Sequence, residues 1–102
     1  MKKLLFIVVL LALTLAFSLE RDQYIPKEGF IPNEATAIKV AEAVWLPIYG
    51  DRIYKSKPFK AILQDSTVWI VEGTLKENQK GGYPYIEIQK SDGKILKVTH
   101  SK

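Results

Sequence analysis

Cysteine is absent from the sequence, and histidine and methionine each occur only once. Without cysteine the chain has no disulfide bond, no thiol nucleophile and no thiolate ligand for a metal ion. The single histidine, His100, is third from the end of the chain, where a general base rarely finds the partner and the pocket that it needs. We therefore interpret His100 as an ordinary surface residue, and predict a protein that is not an enzyme, with no catalytic residue, no cofactor and no metal site.

Long apolar runs are also scarce, and the clearest one lies at the start of the chain. Lys2 and Lys3 precede an apolar segment, Leu4 to Phe17, and a small residue, Ser18, follows it. This layout is typical of a secretory signal peptide. The segment has fourteen residues, whereas a membrane-spanning helix needs roughly 20. We predict that residues 1–18 are a cleavable signal peptide and that the protein is periplasmic or secreted. The alternative is an uncleaved signal that anchors it in the inner membrane.

The mature chain is small and nearly balanced in charge. Cleavage after Ser18 would leave 84 residues, which suffice for one domain with a modest core. It would also lower the basic residues from fifteen to thirteen, against eleven acidic ones, so that the formal charge falls to +2. Lysine and glutamate are interspersed, whereas a nucleic-acid-binding protein needs a basic face. We therefore predict no nucleic-acid partner, and the sequence indicates no particular oligomeric state.

The segment after the signal divides into an arm and a helix. Residues 19–32 carry two prolines and a glycine among charges, which predicts an extended arm or linker. The predicted domain, residues 33–102, begins with Asn33 as a helix N-cap. Apolar residues then recur at spacings of three and four, which predicts one amphipathic helix that packs on a sheet. Pro47 predicts that this helix ends or kinks at about Leu46.

After Pro58 the pattern changes to short runs rich in β-branched and aromatic residues, separated by turn residues. Four strands are predicted: Phe59–Leu63, Thr67–Leu75, Tyr85–Lys90 and Ile95–Thr99. One helix followed by a four-stranded antiparallel meander is an α+β fold, with the helix packed on one face of the sheet.

The last two strands predict their own register. A two-residue turn would mix apolar and polar side chains on each face of the hairpin. A three-residue loop, Ser91–Gly93, with a left-handed glycine at its end, instead pairs Ile88 with Leu96 and Ile86 with Val98. We therefore predict the three-residue loop.

Two strand-borne carboxylates, Glu72 and Glu87, are candidate functional residues because their strands should be neighbours. Two carboxylates on one face can shift each other's pKa, which suits acid–base chemistry such as glycoside hydrolysis. The favoured interpretation is ordinary pairing, of Glu87 with Lys97 across the strands and of Glu72 with Lys60 or a backbone donor.

Aromatic residues are the other candidates, since exposed aromatic side chains often provide most of the binding energy at interfaces. Tyr83 and Tyr85 follow a glycine pair and are candidates for exposure, whereas Trp45 and Tyr49 fit the core face of the helix. Five candidate partner-binding residues result: Tyr83, Tyr85, Glu72, Glu87 and Lys97.

Four sequence blocks together resemble a known family. They are ATAIKVAEAVWLPIYG, KPFKAIL, VWIVEGTL and GGYPYIEIQKSDGKILKVTHSK. Their order and spacing, from about Gly29 to Lys102, resemble the small bacterial immunity proteins with a nuclear transport factor 2-like fold. The resemblance implies a reduced, cystatin-like α+β cone in which a curved sheet wraps against the helix.

The same resemblance implies a function. Such proteins bind and neutralise a cognate toxin of a polymorphic toxin system, as inhibitors rather than enzymes. The expected partner is therefore a protein toxin, contacted through an exposed sheet face or the loop Lys76–Tyr83. The alternative is an envelope binding or peptidase-inhibitory module similar to PepSY domains, with which the chain shares SDGKILKV at residues 91–98.

Overall fold

A computed structural model describes residues 23–76 and 81–101. Over these residues one α-helix, α1 (Glu34–Tyr49), precedes a 3₁₀ helix (Asp51–Ser56) and four strands. The strands are β1 (Lys60–Gln64), β2 (Val68–Glu72), β3 (Tyr83–Gln89) and β4 (Ile95–Ser101). They form an antiparallel sheet in the order β1-β2-β3-β4. The predicted α+β fold, one helix on a four-stranded meander, is confirmed.

The predicted signal peptide and residues 77–80 of the predicted binding loop lie outside the described residues. Within the described part of the chain, no helix is long and apolar enough to cross a membrane.

The start of α1 follows from its capping residue. Asn33 has an extended backbone, and its side-chain oxygen accepts hydrogen bonds from the Thr36 amide (2.9 Å) and the Thr36 hydroxyl (2.8 Å). This satisfies one of the amide groups that a helix N-terminus leaves free. The predicted N-cap is therefore present in the structure.

The end of α1 lies three residues beyond the predicted position, because the helix continues through Pro47 to Tyr49. The fixed φ of proline is compatible with a helix, and only its own amide bond to the preceding turn is lost. Pro47 is exposed, so water can reach the carbonyl that this loss leaves free. The amide of Gly50 then donates to the Leu46 carbonyl at 2.8 Å and closes the last turn.

The core lies between α1 and the inner face of the sheet. The helix contributes Ala37, Ala41 and Trp45, all fully buried, and β2 and β3 contribute Trp69, Val71, Ile86 and Ile88. Along β3 every second residue is buried, as side-chain alternation in a strand requires. The 3₁₀ helix, which the sequence did not predict, adds Ile53 to this core.

The segment before α1 is packed against the sheet at its C-terminal end. The amides of Phe30 and Ile31 donate to the carbonyls of Ser91 (3.0 Å) and Lys90 (3.1 Å), and the Ile31 side chain is buried. This part of the predicted arm therefore belongs to the folded unit, while the other predicted boundaries stay predictions.

The hairpin of β3 and β4 has the predicted left-handed glycine, Gly93, with φ +78°. Ile86 pairs with Val98 as predicted. The pairing of Ile88 with Leu96 is wrong, because the register shifts after Glu87 and Ile88 lies opposite Ile95. An extra residue, Leu96, thus forms a β-bulge, which leaves that residue without a partner in the ladder.

The connection between these strands is also longer than the predicted three residues. Both backbone groups of Gln89 form hydrogen bonds that close this connection. Its amide donates to the Lys94 carbonyl (2.8 Å), and its carbonyl accepts from the Gly93 amide (2.9 Å). The Asp92 carboxylate accepts a further hydrogen bond from the Lys94 amide at 2.9 Å. These contacts hold Lys94 in the connection, and the bulge restores the pairing of the next residues.

The second predicted strand ends early, at Glu72 instead of Leu75. The reason is a competing partner, since the Thr74 amide donates to the Ser56 carbonyl at 2.7 Å. At this crossing a Cβ on Gly73 would lie 2.7 Å from the Ser56 side chain. This contact with the end of the 3₁₀ helix therefore directs the chain away from the sheet after β2.

Candidate partner-binding face of the sheet

The face of the sheet opposite α1 carries all five predicted partner-binding residues. Glu72 lies opposite Tyr85 between β2 and β3, and Glu87 lies opposite Lys97 between β3 and β4. Tyr83 precedes Tyr85 by two residues and shares its face. The buried residues of β3 alternate with these positions and point to the helix. We call this surface the outer face, and no described helix covers it.

Three of these residues form a connected group. The Tyr85 hydroxyl donates a 2.8 Å hydrogen bond to Oε2 of Glu87. The Lys97 ammonium lies 5.9 Å from the centre of the Tyr85 ring, within the range of a cation–π contact. One tyrosine therefore contacts a carboxylate and an ammonium group on two neighbouring strands, and its hydroxyl is fixed by the hydrogen bond to Glu87.

The environment of Tyr85 also changes its acidity. The hydrogen bond to Glu87 raises the pKa of Tyr85 to about 12, and burial and the negative charges of Glu87 and Glu72 act in the same direction. Each of these effects disfavours a tyrosinate. The hydroxyl therefore stays a neutral donor over the whole range in which a protein interface works.

The two carboxylates share a face, but they are not directly opposite each other, because Glu72 faces Tyr85. The predicted ion pairs are not formed in the described residues, where the observed ion pair joins Lys90 and Glu28 at 3.6 Å. Glu87 lies opposite Lys97 in the predicted register, yet its carboxylate accepts from Tyr85 instead. The half-buried tyrosine hydroxyl is a closer partner than a lysine extended over the ring.

An apolar strip lies beside the polar group on the outer face, and the sequence did not single it out. Ile62 of β1 lies opposite Ile70 of β2, and Ile70 in turn lies opposite Glu87. Ile62 is 59% exposed. The sequence of β2 did indicate this strip, since a strand with apolar residues on both faces favours burial of both faces. The outer face thus combines an apolar strip with a tyrosine, carboxylates and a lysine.

The remaining candidates lie elsewhere. Trp45 is fully buried, which confirms the core interpretation, and its ring meets Phe59 edge to face at 5.2 Å. His100 is exposed, as predicted, and its ring lies 5.4 Å from that of Tyr49. Within residues 23–76 and 81–101 no group of three or more histidine or acidic side chains is placed to hold a metal ion.

Comparison with known proteins identifies the family of this chain. Residues 36–102 match the family described as NTF2 fold immunity protein. The chain belongs to this family. The resemblance of the four sequence blocks is thereby confirmed, and the fold agrees with it. No solved structure matches the chain.

Two relatives of this immunity protein occur in Escherichia coli strain K12. The uncharacterized protein YhhH is 40% identical over 76 residues, which cover 72% of this chain and 59% of YhhH. The uncharacterized protein YbbC is 35% identical over 85 residues, which cover 82% of this chain and 69% of YbbC. The chain therefore spans about three-fifths of the length of YhhH and about seven-tenths of the length of YbbC.

Proposed function

We propose that this immunity protein is exported and that it binds and neutralises a cognate bacterial toxin, without catalysis, through the outer face of its sheet. Family membership supports a toxin as the partner. The signal-like segment at residues 1–18 supports action in the periplasm or outside the cell. The observation that carries the proposal is the meeting of all five candidate residues on one face, which no helix of the described residues covers.

The geometry of this face suits binding. Interfaces depend on a few rigid aromatic residues surrounded by polar groups that exclude water. Tyr85 fits this description, since the hydrogen bond to Glu87 fixes its hydroxyl before any partner arrives and Lys97 lies beside its ring. A side chain that is already ordered loses less entropy on association, which favours affinity. The apolar strip of Ile62 and Ile70 supplies apolar surface, and its burial against a partner would stabilise the complex.

The same geometry does not favour acid–base catalysis. A glycosidase holds its two carboxylates on either side of a substrate cleft. Here Glu72 and Glu87 lie on one open sheet face, and Tyr85 already donates to Glu87. The toxin is therefore expected to be blocked by coverage of its surface.

The test is co-expression with the toxin encoded by the neighbouring gene, with survival and complex formation as readouts. The native protein should protect and co-purify, whereas Tyr85→Ala should bind roughly 30-fold more weakly, as expected for loss of about 2 kcal/mol at a central interface residue. Tyr24→Ala is the matched control, because Tyr24 is 84% exposed on the segment before α1. Circular dichroism verifies that both variants fold.

Absence of both complex and protection would reject the toxin as partner. An equal effect of Tyr85→Ala and Tyr24→Ala on affinity would reject the outer face as the surface that binds the toxin. Inhibition of an envelope peptidase by a protein that protects against no toxin would establish the PepSY-like alternative. N-terminal sequencing of the protein from the periplasm tests export, and a cytoplasmic protein that retains Met1 would contradict it.

A further inference from the structure

A cleft lies on the helix side of the molecule, separate from the outer face. This cleft of about 500 Å³ is lined by residues that include Tyr49, Arg52, Lys55, Gly82 and His100. His100 lies opposite Pro84, a residue of the buried side of β3, so its side chain belongs to the face that α1 covers. The cleft therefore lies where the end of α1 and the 3₁₀ helix meet the far end of β4.

The cleft has an aromatic floor. The rings of Tyr49 and His100 meet edge to face with their centres 5.4 Å apart. The guanidinium carbon of Arg52 lies 6.0 Å from the centre of the Tyr49 ring, at the limit of a cation–π contact. An apolar side chain of a ligand can therefore pack against these two rings.

The charged side chains that line this cleft are all positive among the described residues. Arg52 and Lys55 are exposed cations, and no carboxylate is among the lining residues that the structure describes. Neither cation forms an ion pair with a described residue. Asp51 is adjacent to Arg52 in the chain but does not line the cleft. A cleft lined by one sign of charge attracts ligands of the other sign.

We propose that this cleft binds a carboxylate of an acidic peptide segment, paired with Arg52 and Lys55, while a neighbouring apolar side chain of that segment lies on the Tyr49 and His100 rings. The volume falls within the range of small-ligand sites, roughly 300–1,000 Å³, which accommodates two or three residues of a peptide. Arginine suits a carboxylate because its planar group donates two parallel hydrogen bonds. The inference rests on the proposed function only for the origin of the segment, which is the toxin.

The test uses the purified protein alone, so it does not depend on the toxin. Acetyl-Phe-Glu-amide is added during ¹⁵N nuclear magnetic resonance titration, and acetyl-Phe-Gln-amide is its neutral counterpart. The acidic peptide should shift the amide signals of Tyr49, Arg52 and Gly82, and the neutral peptide should shift them far less. Arg52→Gln and Lys55→Gln should each weaken binding up to about fivefold, which corresponds to about 1 kcal/mol for an exposed ion pair.

Lys94→Gln is the matched control, because Lys94 is an exposed lysine in the hairpin connection and its loss changes the net charge equally. Equal binding of the two peptides, or an equal effect of the control, would overturn the proposal. Inorganic phosphate that binds as tightly as the acidic peptide would show a general anion site and overturn it as well. If one cleft variant does not fold, the other gives the same comparison.

The two proposals fail separately. Peptide binding without toxin protection would reject the proposed function and keep an acidic-peptide cleft. Toxin protection that Arg52→Gln and Lys55→Gln leave unchanged, in a protein that does not bind the peptide, would reject the cleft and keep the outer face.

Discussion

The indole N–H of Trp69 donates a buried 2.8 Å hydrogen bond to the carbonyl oxygen of Ile31, across 38 residues of sequence. Ile31 precedes α1, and Trp69 lies in β2 on the inner face of the sheet. Both side chains are almost completely buried, at 5% exposure each. The contact therefore fixes the entry to the helix against the centre of the sheet, and with it the side of the sheet that α1 covers.

Trp69→Phe should destabilise the protein more than Trp45→Phe does. Both substitutions remove a similar volume from the core, but the indole N–H of Trp45 has no partner among the described residues. Loss of the Trp69 bond leaves the Ile31 carbonyl unpaired, which costs about 1–3 kcal/mol. Urea unfolding of both variants measures the difference. Equal free energies of unfolding would show that the Ile31 contact contributes nothing.

Gly29→Ala should lower the free energy of unfolding more than Gly93→Ala. Both glycines have a positive φ, of +83° and +78°, so each substitution carries a conformational cost of roughly 1–2 kcal/mol. Only at Gly29 does the new Cβ meet a backbone obstacle, the Lys90 carbonyl oxygen at 2.5 Å, whereas at Gly93 the nearest atom is the end of the Ile31 side chain, at 3.4 Å. Thermal unfolding of the pair isolates the close approach. A Gly93→Ala variant as unstable as Gly29→Ala would contradict it.

Ile86→Ala should lower the free energy of unfolding much more than Ile62→Ala, because the two residues lie on opposite faces of the sheet. Ile86 is fully buried under α1, whereas Ile62 is 59% exposed on the outer face. Truncation of a buried isoleucine costs about 2–5 kcal/mol, while a surface substitution stays within about 0.5 kcal/mol. Chemical denaturation verifies both values. A large loss at Ile62 would mean that the outer face is already covered in the isolated protein.

Tyr85 should ionise later than the other tyrosines in an alkaline titration followed by ultraviolet absorbance. Its pKa is raised from 10.0 to about 12, chiefly by the hydrogen bond to Glu87. Because the folded state holds this proton more tightly than the unfolded state, the stabilisation is complete below pH 10 and is lost as the pH rises towards 12. Glu87→Gln should lower the pKa, and Tyr85→Phe should remove the transition. A late transition that survives in Tyr85→Phe belongs to another tyrosine.

Much of the fold could be predicted from neighbours in the chain. The Asn33 cap requires only the Thr36 amide three residues on, and the turn at Gly93 requires only its own left-handed backbone. The pairing of Glu87 with Lys97 followed from the alternation of apolar residues, and it placed candidates of two strands on one face. Each of these features depends on interactions over a few residues.

The errors arose where a group that the sequence did not indicate takes the place of the predicted partner. The Thr74 amide donates a hydrogen bond to the Ser56 carbonyl, so the predicted strand ends before this residue. The Glu87 carboxylate accepts a hydrogen bond from the Tyr85 hydroxyl instead of forming the predicted ion pair with Lys97. The cleft escaped notice because Tyr49 and His100, 51 positions apart, meet only in the folded chain.

The sequence by itself determined the order of helix and strands, the inner and outer residues of β3, and the resemblance to the NTF2 fold immunity proteins. Periodicity and capping act through the local backbone, so they can be inferred without the fold. Only the tertiary structure decided that Ile31 belongs to the core, that Leu96 is a bulge and that Arg52 and His100 line one cleft. These outcomes depend on which of several possible partners packs closest, and local sequence carries no record of that competition.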